Sequence, residues 1–275
     1  MCPHPMMSRY AAICATISLL FAAPLFGQDF GQEGWVAVYT AADEPEGENG
    51  NPAGGKAIAM DASENVYVLG VASISDNWDD ALVIKYRRED GTEVWRDLYN
   101  HVESTPGNLD ASFDLAGDIA TDPAGNTYVA INSGRDGIPQ ANYRVVVRKY
   151  AADYATGQPA TWTYVHTSDQ DSDAEAYALA IDEAGNSFIA GEDGNRGLLF
   201  KMNNDGTPGT VLVREESELA GGQMRFYDLA LDNAGNIYVC GQAQRQVGTD
   251  TPLDIVLIKY NPSGVLQWLS YLDAN

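Results

Sequence analysis

Asp61-Ala-Ser-Glu-Asn65-Val-Tyr-Val-Leu-Gly70 is followed by Asp122-Pro-Ala-Gly-Asn126-Thr-Tyr-Val-Ala130, Asp182-Glu-Ala-Gly-Asn186-Ser-Phe-Ile-Ala-Gly191 and Asp232-Asn-Ala-Gly-Asn236-Ile-Tyr-Val-Cys-Gly241. The four anchoring aspartates lie 61, 60 and 50 residues apart, so the chain is an array of similar units, and each residue has to be read against its counterparts. The Asp to Asn segment is rich in residues that tolerate positive φ and hydrogen-bond to their own backbone. It therefore reads as a tight reversal between two strands.

Working outward, a larger apolar residue alternates with alanine before each anchor, at Ile58-Ala59, Ile119-Ala120, Leu179-Ala180 and Leu229-Ala230. This period of two predicts a strand with one tightly packed face, and the alanine suits a crowded innermost position. After the turn and its second strand comes a third apolar run ending at Lys85, Lys149, Lys201 or Lys259. A glycine turn then leads to a fourth strand opened by Trp95, Trp162 or Trp268, with Thr210 in the third unit's tryptophan place. Four short antiparallel strands per unit and no helical period predict an all-β fold, a β-propeller of four-stranded antiparallel blades spanning about 55–100, 115–166, 176–214 and 225–272. One such unit buries too little apolar surface to stand alone, and stacking blade on blade completes the core. Trp35-Val-Ala-Val-Tyr39 copies Trp95-Arg-Asp-Leu-Tyr99, which predicts one further N-terminal strand belonging to a blade completed elsewhere. Four blades plus one strand predict an incomplete ring in a protein that continues past Asn275.

The recurring Asp-x-x-Gly-Asn-x-Tyr-Val-x-Gly, the apolar run ending in Lys, and the Gly and Trp beyond it resemble the bacterial β-propeller repeat family, the SBBP repeats. The resemblance covers residues 35–272 and implies a secreted or surface-attached propeller with no common enzymatic activity, so it implies no catalytic residue. Departures are local: Thr210 for Trp, Glu64 for Gly before Asn65, and Ala130-Ile131 where the other units place glycine.

Residues 1–28 read as a secretory signal peptide: Arg9 precedes an apolar run from Ala11 to Leu25, followed by Gly27, Gln28 and Asp29. The run is too short to span a bilayer comfortably, so no membrane span is expected in the mature chain 29–275, and the expected location is secreted, periplasmic or cell-surface. Lys and Arg number 16 against 39 Asp and Glu, a formal charge of −23 that becomes one unit more negative when Arg9 leaves. So acidic a surface repels phosphate backbones and argues against nucleic acid as a partner. Cys2 and Cys14 leave with the leader, so Cys240 has no internal disulfide partner, and it reads as a buried packing residue.

The tight first turns fall on one face of a propeller, and the longer, more varied loops fall on the other, which is the expected binding surface. Those loops carry acids and the candidate aromatic anchors Trp78 and Tyr143, with Phe226 as a further candidate bordering the same face. Asp169, Asp171 and Asp173 have the alternating spacing of a calcium loop, but Ala174 stands where the turn glycine belongs and Ala180 where a bidentate Glu belongs. Calcium is thus a weak candidate, a solvated loop the better reading, and no other cofactor is indicated. The anchor aspartates read as acceptors within their own turns, and the strand-ending lysines as edge charges that discourage unwanted pairing. His101 and His166 read as loop residues. Ser104 and Asp110 neighbour His101 without any nucleophile-elbow motif, so no catalytic residue is assigned. Three functions stay open: a non-enzymatic surface scaffold binding a protein or polysaccharide through its loop-rich face, a propeller enzyme acting on glycans or as a quinone-dependent dehydrogenase, and a structural spacer in a larger surface protein.

Overall fold

The computed structural model describes residues 35–39, 53–72, 79–100, 112–135, 142–218 and 221–272. The signal segment, Trp78, His101, Ser104 and Asp110 lie outside the described residues. Within the compact unit Val36–Asn275 the strands form four separate four-stranded antiparallel sheets, each with its strands in chain order. Blade 1 is β1 (Ala53–Met60), β2 (Val66–Ala72), β3 (Asp80–Tyr86) and β4 (Glu93–Tyr99). Blade 2 is β5 (Ser112–Thr121), β6 (Thr127–Arg135), β7 (Arg144–Tyr150) and β8 (Trp162–His166). Blade 3 is β9 (Ala174–Ile181), β10 (Ser187–Asp193), β11 (Arg196–Met202) and β12 (Pro208–Glu215). Blade 4 is β13 (Met224–Leu231), β14 (Ile237–Gln244), β15 (Leu253–Tyr260) and β16 (Leu266–Leu272). The first strands β1, β5, β9 and β13 neighbour one another in turn, as the innermost strands of a propeller do.

Alternation along each strand sends one set of side chains toward the preceding blade and the other toward the following blade. Three cores result, one per junction. Tyr67, Leu69, Val83 and Trp95 of blade 1 meet Ile119, Val129, Val146 and Tyr150 of blade 2. Tyr128, Val145 and Val147 then meet Leu179, Leu198 and Met202, and Phe188, Leu199 and Val211 meet Phe226, Val256 and Tyr260. Each such buried side chain contributes about 1.5–3 kcal/mol, so the junctions hold the blades up. Backbone bonds stitch them as well: the first strand of each later blade donates N–H to the preceding blade, Asp114 to Asp79, Ala174 to Tyr143 and Met224 to Asn195. Among the described residues, blade 4's forward side meets no further blade, Ile255, Leu257, Trp268 and Leu272 are exposed there, and the four sheets do not close into a ring.

All four first strands carry a β-bulge at the same place, with Lys56, Gly117, Tyr177 and Tyr227 as the extra residue. The bulge brings a first-strand carbonyl close to the second strand, which explains the glycine closing the motif. A Cβ on Gly70, Gly191 or Gly241 would meet the carbonyl oxygen of Gly54, Glu175 or Arg225 at 2.3, 1.8 and 1.8 Å. Blade 2 places Ile131 there and moves its glycine into the bulge itself: a Cβ on Gly117 would lie 2.8 Å from the Ala130 oxygen. The departure at Ala130-Ile131 is thus compensated within its own blade.

Several expectations are corrected. Residues 35–39 form no strand. The Tyr39 ring lies 5.2 Å from the Arg96 guanidinium, while Val36 and Val38 are exposed. Lys85, Lys149 and Lys259 pair across the sheet with Trp95, Trp162 and Trp268. The irregularity at Lys201 places Val211, not Thr210, in the third blade's tryptophan position. Nor do the lysines lie on blade edges. They sit in third strands, interior to each sheet, with their ammonium groups 4.9–5.4 Å from the ring centres of Tyr67, Tyr128, Phe188 and Tyr238. Cys240 is half-buried because blade 4's forward side is uncovered, whereas its counterparts Leu69, Ala130 and Ala190 are fully buried.

Candidate functional site

The bulge also builds the most chemically suggestive cluster. Glu175 at the start of β9 lies directly across the sheet from Glu192 near the end of β10, an unfavourable pairing of like charges. Because the bulge turns Tyr177 out of the normal alternation, its hydroxyl reaches both, at 3.1 Å from Glu175 Oε2 and 2.8 Å from Glu192 Oε1. One phenolic proton serves only one of these contacts. Burial above all, then the neighbouring Glu192 and Asp173, raise the pKa of the Glu175 carboxyl against the lowering effect of the Tyr177 hydrogen bond. Arg225, from β13 of the next blade, forms an ion pair with Glu192. The next bulge residue, Tyr227, lies against Tyr177 in a tilted arrangement, 5.6 Å between ring centres and 45° between planes, and is 44 % exposed. One residue further along β5 and β13 stand Asp118 and Asp228. Burial raises Asp118, whose carboxylate accepts from the Leu179 N–H of blade 3 at 2.8 Å and senses Asp228 and Lys56. The inner wall thus offers an exposed aromatic ring flanked by carboxyl groups.

A second cluster lies at the same end of blade 3. Asp193, fully buried, accepts from Ser168 and from Arg214 Nε at 2.6 Å, while His166 Nε2 lies 3.3 Å away. Arg196 lies 3.3 Å from the same carboxylate. Burial pushes the Asp193 carboxyl up, but the bonds from Ser168 and Arg214 and the charge of Arg196 outweigh it and hold it below the ordinary value. A nucleophilic triad needs its serine on the histidine; here serine and histidine both address the aspartate. The arrangement is a structural tie between blades 2 and 3. His166 is not a loop residue but the last of β8, stacked on Phe200 at 5.2 Å.

Asp169, Asp171 and Asp173 are each engaged by a different partner. Asp169 pairs with Arg196, Asp171 accepts from Asn142 at 3.3 Å, and Asp173 accepts the Tyr143 N–H at 2.8 Å. Among the described residues no group of three or more His, Cys, Asp or Glu is gathered as a metal would need. Phe226, expected as an exposed anchor, is instead core: its ring fills the space beside Gly197, where a Cβ would lie 2.6 Å away. The Tyr143 ring is half-buried against Gly134 in the same manner. Each anchor aspartate accepts within its own turn. Asp122, for example, takes N–H bonds from Ala124 and Asn126 on Oδ1, and the Asn126 amide and Tyr128 hydroxyl on Oδ2. Tyr177, Glu192, Arg225 and Tyr227 escaped the sequence reading. For the two tyrosines the signal was the position five before each anchor, where Lys, Gly, Tyr and Tyr break the pattern; Glu192 and Arg225 carry no such mark.

No family model and no curated protein sequence matches the chain, so the likeness to SBBP repeats rests on the motif residues alone. Among solved structures, a protein of unknown function from Bacteroides caccae is similar at 8 % identity and a TM-score of 0.40, covering 80 % of this chain and 82 % of that one. The extracellular domains 1–2 of Drosophila semaphorin 1b are similar at 11 % identity and 0.46, covering 75 % and 37 %. A quinohemoprotein alcohol dehydrogenase from Pseudomonas putida HK5 is similar at 13 % and 0.43, covering 76 % and 45 %. The chain spans less than half the length of the last two. Likeness at this level bears on neither activity nor residues. Among the described residues no helix is long and apolar enough to cross a membrane.

Proposed function

We propose that this protein is a secreted or surface-attached propeller of the SBBP-repeat type, and that it binds a polysaccharide through the inner wall of its loop-rich face. Supporting the location is the leader-like order of residues 1–28. The observation behind the ligand class is the exposed Tyr227 ring tilted against Tyr177, beside Glu175, Glu192 and Arg225. A sugar ring presents an apolar face to an aromatic side chain while its hydroxyls bond to flanking carboxyl groups, and such a site needs no catalysis to be useful. Titration calorimetry against a panel of soluble polysaccharides tests it. Tyr227→Ala is expected to weaken binding at least tenfold without moving the thermal midpoint; binding indifferent to that change, or no binding at all, overturns the assignment.

A second reading, a glycan-cleaving enzyme, is favoured by one specific feature: Glu175, whose carboxyl pKa is raised by burial, stands directly opposite Glu192, and a facing pair of carboxyls is what acid–base glycosidic chemistry uses. Release of reducing sugar that Glu175→Gln abolishes would favour it over simple binding.

A further inference from the structure

Beyond that site, on the opposite, tight-turn side, a cleft of about 380 Å³ opens between blades 3 and 4, walled by Phe188, Lys201, Asp182, Asp232 and Pro262. Its origin can be read by comparing junctions. In blades 1, 2 and 4 a tryptophan stands opposite the strand-ending lysine, with its ring 6.0, 6.0 and 6.2 Å from the tyrosine of the motif. At the junction of blades 2 and 3 that indole lies against the next blade's turn: Trp162 Nε1 donates to the Asn204 carbonyl at 3.0 Å, and a Cβ on Gly206 would meet the ring at 2.6 Å. Blade 3 has Val211 in the tryptophan position and Phe188 in the tyrosine position. The turn of blade 4 that would receive the indole still comes forward, its Gly264 next to Val211 and its Pro262 lining the cleft. Lys201 lies 5.4 Å from the Phe188 ring, without an ion pair or hydrogen bond among the described residues.

We propose that this cleft is a binding site for a planar aromatic ligand carrying an N–H donor, an indole-class group that takes the seat filled elsewhere by the protein's own tryptophan. The cleft keeps the fixtures of that seat: an aromatic edge from Phe188, a lysine stem along one wall, and the blade 4 turn as the far wall. A planar ring seated there buries both faces and points its donor toward the backbone of the turn, as Trp162 does one junction earlier.

Free indole is the probe, titrated into the protein and followed by calorimetry and by amide NMR. Saturable one-to-one binding is expected, with shifts concentrated at Ala184, Lys201 and Gly235. Val211→Trp is expected to abolish it by supplying the ring from within, while raising the thermal midpoint. Indole binding that survives in folded Val211→Trp overturns the proposal. Should that variant not fold, the wild-type spectra decide alone: saturable shifts at those three residues support the site, and shifts elsewhere, or none, overturn it.

Discussion

The carbonyl oxygen of Glu175 occupies the place where a Cβ on Gly191 would stand, 1.8 Å from its ideal position. No real side chain coexists with that contact, so the last glycine of the motif and the bulge of the first strand are one feature seen from two strands. Gly191→Ala has to straighten the bulge or part the strands, and the Tyr177 hydroxyl loses its position between Glu175 and Glu192 in either case. We expect a loss of about 1–3 kcal/mol or more, read as a lower urea midpoint. Gly54→Ala, where nothing lies within 4 Å, is the control and should stay within about 0.5 kcal/mol.

Trp95 and Trp268 occupy equivalent positions with opposite surroundings. Trp95 is 2 % exposed, its ring against Tyr67, Tyr150 and Tyr154, whereas Trp268 is 42 % exposed on the uncovered side of blade 4. Trp95→Ala is expected to cost about 3–5 kcal/mol, as large-to-small changes in packed cores do. Trp268→Ala should cost well under half of that. Equal losses in chemical denaturation would mean that the blade 4 face is covered in solution.

Asp118 and Asp228 form a similar pair. Asp118 reaches across a blade junction to the Leu179 N–H, while among the described residues the Asp228 carboxylate accepts from its neighbour Leu229 N–H alone, at 2.8 Å. Asp118→Ala leaves a partly buried donor unmet and should destabilise by about 1–3 kcal/mol. The same change at Asp228 should be near neutral, and the two denaturation curves compare them directly.

His166 makes stability depend on mild acid. Burial lowers its pKa below the ordinary 6.5, against the opposing pull of Asp193, so the folded state binds this proton less readily than the unfolded chain. The contribution is fully present above pH 6.5 and is lost as pH falls through 6.5 toward the lower folded value. Thermal midpoints of His166→Gln should therefore lack the decline that wild type shows across that interval. Glu175 has the opposite sign: its raised pKa gives a contribution present below the ordinary carboxyl range and lost as pH rises through the folded value.

Glu64 adopts φ of 62°, the left-handed region that Gly125, Gly185 and Gly235 occupy in the other turns. A side chain there costs roughly 1–2 kcal/mol, more than the exposed Glu64–Arg88 pair returns. Glu64→Gly should raise the thermal midpoint by a few degrees.

Much of the fold was legible because repetition exposes it. Four copies of one turn, each followed by an apolar run and a glycine turn, reveal sixteen strands and their order. The anchor aspartates were also readable, since their bonds stay within six residues. The third-unit tryptophan position was misplaced by one residue because the irregularity opposite Lys201 depends on pairing, which the chain order does not display. The lysines were misread for a related reason: a charge at a strand's end suggests an edge until a neighbouring ring is seen to hold it.

From its residues alone this chain determined a succession of local reversals and alternating strands, because turn chemistry and period-two burial act over a handful of neighbours. Which side chains meet was decided only by stacking. Glu175 and Glu192 lie seventeen residues apart and Arg225 belongs to another blade, yet one bulge and one junction bring them around a single hydroxyl. Burial then raises the pKa of the Glu175 carboxyl, and that shift depends on the solvent removed by its packed surroundings, which no local pattern encodes.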